Sequence, residues 1–100
     1  MSEKLCEEIY RQEGENFRSV TITLETDGTL QIDAQDMGKL VEEMWGDGDY
    51  EFWCRIPPAG VARLAYALLK KHYTGREQAV EEVRTLCAQA GVPCENGSWA

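Results

Sequence analysis

The spacing of apolar positions changes period several times along this 100-residue chain, and each change marks an element. In "SVTITLETDGTLQIDAQ" apolar and polar residues alternate on both sides of an Asp-Gly pair. Val20, Ile22 and Leu24, then Leu30, Ile32 and Ala34, fall on one face, with Thr21, Thr23, Gln31 and Asp33 on the other. Asp27-Gly28 supplies the positive φ that a tight turn requires, so the segment predicts a β-hairpin.

"DMGKLVEEMW" moves to helical spacing through Met37, Leu40, Val41, Met44 and Trp45, with Glu42 and Glu43 turned outward. Asp36 is placed to cap this helix and Gly46 to end it. "DYEFWCRI" alternates again: Tyr50, Phe52, Cys54 and Ile56 on one side, Glu51, Trp53 and Arg55 on the other, until Pro57-Pro58 stops the strand. Residues 59–73 carry a wide apolar arc that predicts a helix buried on more than one side. Residues 74–91 predict a further helix, with Thr74 and Glu77 at capping-box spacing and Gly91 as its stop. At the start, Leu5, Cys6, Ile9 and Tyr10 form a helical stripe, read as an optional N-terminal helix. "CENGSWA", after Pro93, is either a short terminal strand or an extended tail.

The order is therefore an optional helix, then ββαβαα with a possible last strand. It predicts an α+β fold: a small antiparallel or mixed β-sheet with helices packed on one face, Phe52 and Leu68 lying in the core between them. Composition is consistent with one compact domain over residues 1–100, since 43% apolar content supports one core and not two. No stretch reaches the apolar length of a membrane span, and "MSEKLCEEIY" lacks the basic-then-apolar order of a signal peptide, so a cytoplasmic location is expected.

Charge changes the picture more than composition. Residues 1–54 hold fourteen acids against four bases, whereas residues 55–100 hold six bases against four acids; the whole chain is −8. Such a field repels nucleic-acid phosphate and anionic membrane and attracts a basic partner. The four cysteines at 6, 54, 87 and 94 contain no CxxC pair and have one histidine, His72, beside them, which disfavours zinc. A Cys87–Cys94 disulfide is compatible with the sequence, although a cytoplasmic setting keeps thiols reduced.

"DGDYEF" invites a calcium reading, because Asp47, Asp49 and Glu51 match the first three ligand positions of an EF-hand loop. The sixth position, which needs Gly, is Phe52, and the twelfth, which needs a bidentate acid, is Pro58. The acids are accounted for as turn formers and as the polar face of a strand. No metal, cofactor or catalytic residue is expected, and no Walker, GxGxxG or GxSxG motif occurs. A Cys–His arrangement using Cys54 or His72 is the remaining enzymatic reading.

One feature of the alternation stands out. The polar face of the predicted sheet carries a Trp and an Arg among acids, a composition enriched at binding hot spots. Trp53 is either an exposed anchor or a residue covered by the N-terminal segment or by the tail and Trp99. If exposed, Asp33, Asp47, Asp49, Glu51, Trp53 and Arg55 are the expected partner-binding residues.

The stretch "DGTLQIDAQDMGKLVEEMWGDGDYEFWCRIPPAGVARLAYALL", with "AGVPCENGSW" near the end, resembles a group of small bacterial α+β proteins of unassigned function. These share a D-G-x-L-x-I hairpin, a Q-D-x-G helix start, a G-D-x-D-Y-E strand entry and a G-[IV]-P tail. The likeness spans residues 27–99, and "PCENGSW" departs from the more aromatic tail of that group. It implies a fold and no reaction. At the level of fold class the chain is also similar to bacterial immunity proteins and phage-encoded inhibitors that block a basic target. The resulting expectation is a non-catalytic module, acidic, binding a basic protein, with no nucleic acid or membrane partner, as monomer or homodimer. The alternatives are a self-associating housekeeping domain and an enzyme with a Cys/His site.

Overall fold

A computed structural model describes residues 3–38, 43–44 and 49–99. They form an α+β fold with a four-stranded antiparallel sheet and two helices. The strands are β1 (Leu5–Gln12), β2 (Asn16–Leu24), β3 (Leu30–Gly38) and β4 (Asp49–Ile56), followed by α1 (Pro58–Tyr73) and α2 (Ala79–Ala90). Where the composition predicts one compact domain, close contacts cluster into two units, Met1–Ala65 and Tyr66–Ala100.

In the first unit the strands lie in sequence order, each antiparallel to the next, which resolves the antiparallel-or-mixed expectation. The predicted hairpin forms. Val20 pairs with Ala34, Ile22 with Ile32 and Leu24 with Leu30, so all six apolar residues share a face. At its turn Gly28 takes φ 93°, its N–H donates to the Glu25 carbonyl (3.0 Å), and Asp27 accepts from the Thr29 N–H (2.9 Å). A Cβ on Gly28 would stand 3.4 Å from Pro58 Cβ, in ordinary contact, so it is the φ that favours glycine here.

Three expectations are corrected. The N-terminal stripe is a strand: β1 pairs with β2, and a β-bulge between Glu8 and Tyr10 leaves Ile9 as the extra residue. The bulge shifts the alternation by one residue, so Leu5, Glu7, Tyr10 and Gln12 share one face while Cys6, Glu8 and Arg11 share the other. That irregular spacing is what mimics a helical stripe. Second, Asp36 and Met37 do not open a helix but extend β3, where Asp36 pairs with Arg18 and Met37 with Phe17. Residues 43 and 44 are helical, and the remaining positions argued for this helix, Leu40, Val41, Glu42, Trp45 and Gly46, lie outside the described residues.

Third, the capping box does not form: α2 begins at Ala79 after Gln78, which makes no side-chain cap, and Thr74 Oγ1 instead donates to the Lys70 carbonyl. Of the two readings left open for the end of the chain, strand or extended tail, residues 92–99 take the second and contain no strand. Other helix ends follow expectation. Pro58 occupies the first position of α1, where its missing N–H costs nothing, and Lys70, Lys71 and His72 sit in the last turn, where the helix dipole favours positive charge. Gly91 closes α2 in the left-handed conformation at φ 71°.

Burial is sparse. Among the described residues Ala34 (6% exposed) and Thr23 (7%) fall in the buried class, both in the two central strands. Phe52 is 40% exposed and Leu68 56%, so neither occupies the closed core predicted for it. The apolar sheet face instead bounds an open hollow of about 280 Å³, lined in part by Arg18, Ile32, Phe52 and Cys54.

Candidate protein-binding face

Register places the expected residues together. Across β3 and β4, Gln31 stands opposite Arg55, Asp33 opposite Trp53, Gln35 opposite Glu51 and Met37 opposite Asp49. Because side chains alternate along a strand, these four pairs occupy one face of the sheet, continued on β2 by Phe17, Ser19, Thr21 and Thr23. Five of the six predicted residues, Asp33, Asp49, Glu51, Trp53 and Arg55, are thus neighbours on a common face. Asp47 lies outside the described residues.

The question left by the sequence concerns Trp53, and it has an answer: the indole is 62% exposed, and Trp99 in the tail is fully exposed. Trp53 sits on β4, an edge of the sheet, with Asp33 across from it on the adjacent inner strand.

The two arginines on this face are held differently. Arg11 is occupied by carboxylates, donating to Glu13 (2.7 Å) and Glu8 (3.0 Å), which raise its pKa. Glu8 also accepts from the Ser19 hydroxyl, and that bond, followed by Arg11, holds its carboxyl below the ordinary range. Arg55 is bound by a neutral group: its Nε and Nη2 donate to Gln31 Oε1 at 2.9 and 2.7 Å. Its charge is oriented but not cancelled by that contact. Among the described residues neither Asp33 nor Glu51 enters an ion pair. The face therefore offers an exposed indole, a fixed guanidinium beside it and carboxylates around both.

Gln31 is a site residue that sequence reasoning missed. Its signal was available, since Gln31 and Arg55 were already assigned to the same face. What the sequence lacks is the register that sets them opposite one another.

Of the residues weighed for catalysis, Cys54 lies on the apolar side of β4, opposite this face, and in the second unit His72 packs edge-on against Tyr73 with ring centres 4.7 Å apart. Among the described residues no group of three or more His, Cys, Asp or Glu side chains is arranged to hold a metal ion, and no helix is long and apolar enough to cross a membrane. The chain matches no family model, and no curated protein or solved structure is significantly similar to it.

Proposed function

We propose that the chain is a non-catalytic protein-binding module, an acidic inhibitor or immunity-type protein that covers a basic surface on its target. The observation that carries this reading is the 62% exposure of Trp53 on the edge strand β4, on a face that it shares with Arg55, Asp33 and Glu51. A large indole left in water has little stabilising role in the folded chain, whereas at an interface it supplies the desolvated anchor that surface charges rarely provide. The −8 net charge adds long-range attraction for a cationic partner and accelerates its association at low ionic strength. The inhibitor or immunity class rests on analogy of fold class and charge, and a cytoplasmic site of action goes with it.

The test is an affinity capture with the tagged chain followed by identification of bound proteins. A basic protein whose affinity falls about 30-fold or more with Trp53→Ala supports the reading. Equal affinity for wild type and variant places recognition elsewhere on the molecule.

A second reading, self-association, is favoured by the topology of the sheet. Both outer strands, β1 and β4, are edges, and an edge strand is a template for pairing with another chain. A mass that rises with concentration, measured by sedimentation on wild type and on a variant with a Pro in β1, separates this reading from the first.

A further inference from the structure

The segment that follows α2 turns back along it. Gly91 reverses the chain, the Val92 N–H donates to the Cys87 carbonyl at 2.8 Å, and Arg84 Nη2 reaches the Gly97 carbonyl at 3.4 Å. Between the helix and the returning segment is a hollow of about 490 Å³, lined by Val80, Val83 and Cys87 from α2 and by Cys94, Asn96 and Gly97 from the tail. Two thiols line it: Cys87, half-buried on the last turns of α2, and Cys94, exposed on the returning segment, seven residues apart across the chain reversal and neither in a disulfide.

We propose that Cys87 and Cys94 are a redox site that closes to an intramolecular disulfide by exchange with a small-molecule disulfide of the glutathione type, fastening the tail to α2. The exposed Cys94, as thiolate, attacks one sulfur of oxidised glutathione and expels the first glutathione thiolate, leaving a mixed disulfide on Cys94. Cys87 then gives up its proton and attacks Cys94 Sγ, expelling the second glutathione. Two protein thiols are oxidised, one glutathione disulfide is reduced to two thiols, and the reverse exchange reopens the site.

The division of roles follows from surroundings. Cys94 is exposed and meets the dissolved disulfide first, whereas Cys87 is half-buried on α2 and serves as the resolving partner; partial burial first, then Cys94, raises the Cys87 thiol above its ordinary range. The other two cysteines offer no competing pair. Cys6 and Cys54 lie on the two outer strands and on opposite faces of the sheet.

The full chain, equilibrated in glutathione buffers of increasing oxidised fraction, quenched with an alkylating reagent and digested with trypsin, reads the outcome directly. No Lys or Arg follows Arg84, so both cysteines fall in one peptide beginning at Thr85. That peptide should appear unalkylated and two hydrogens lighter, while Cys6 and Cys54 are alkylated. Cys87→Ser should arrest the reaction at the mixed disulfide, raising the glutathione adduct on Cys94 about tenfold over wild type. Cys94→Ser should abolish both products. Alkylation of Cys87 and Cys94 at the most oxidising ratio, a persistent adduct on wild-type Cys94, or a disulfide linking two chains would each overturn the proposal.

Discussion

Arg55 donates two hydrogen bonds, from Nε at 2.9 Å and Nη2 at 2.7 Å, to the single Oε1 of Gln31 directly opposite it. A guanidinium held by a carboxylate would have its charge cancelled, but an amide orients it and leaves the charge available. Trp53, two residues along β4 on the same face, stands beside this fixed cation. Side chains locked before binding lose less entropy on association.

Trp53→Ala is therefore expected to separate binding from stability. With the indole 62% exposed, the unfolding midpoint should move by no more than the equivalent of about 0.5 kcal/mol, while partner affinity drops by about 2 kcal/mol or more. Chemical denaturation and calorimetric titration of the captured partner check the two halves. A variant that unfolds would show that the side chain is structural.

Gly38 and Gly14 provide a controlled pair for backbone strain. Both hold nearly the same φ, 128° and 127°, but a Cβ on Gly38 would lie 2.3 Å from the Glu15 carbonyl oxygen, whereas one on Gly14 would meet nothing within 4 Å. Gly14→Ala should cost the conformational penalty alone, about 1–2 kcal/mol. Gly38→Ala adds a backbone collision that cannot be relieved by rotating a side chain, so it should cost at least about 2 kcal/mol more. Equal midpoints in urea for the two variants would contradict the close approach of β3 to the β1–β2 turn.

Asp27 gives a pH dependence with a defined sign. Its carboxylate accepts the Thr29 N–H at 2.9 Å, and this bond, followed by that of the Thr29 side chain, holds its pKa below the ordinary Asp value. A lowered folded-state pKa means that the contribution is complete above the unfolded-state pKa and disappears as pH falls through the folded-state value. Asp27→Asn should thus lower stability near neutrality, and the gap from wild type should close through the carboxylate range. Stability curves of both proteins from pH 7 down to about pH 2 test this. A gap that widens on acidification would have the wrong sign.

Glu77→Ala distinguishes the capping box read from sequence from the arrangement observed. A formed box would make the substitution cost about 1 kcal/mol. Since Thr74 Oγ1 turns back to the Lys70 carbonyl and α2 starts later, at Ala79, the change should stay within about 0.5 kcal/mol, as measured by thermal unfolding.

How much of this was legible beforehand depended on how locally each feature is encoded. The alternation of residues 20–24 and 30–34 around Asp27-Gly28 specifies a hairpin because strand period and turn chemistry act within a few residues. The alternation of residues 50–56, the Pro58 start of α1 and the Gly91 stop of α2 are of the same kind, and so is the sharing of one polar face by Trp53, Arg55, Asp33 and Glu51. β1 was misread because one extra residue, Ile9, breaks its period; pairing with β2 imposes the strand, and β2 is distant from it in the signal though near in the chain. Asp36 reads as a helix cap in isolation, yet across the ladder Arg18 donates to both of its oxygens at 2.5 Å, a fork that keeps β3 extended past the expected helix start. Composition and spacing alone thus determined the hairpin, β4, the two C-terminal helices and the two faces of the sheet. Tertiary structure decided register, the exposure of Trp53 and the clamp of Gln31 on Arg55, because each depends on which distant residue stands opposite or nearby, and local periodicity carries no information about that.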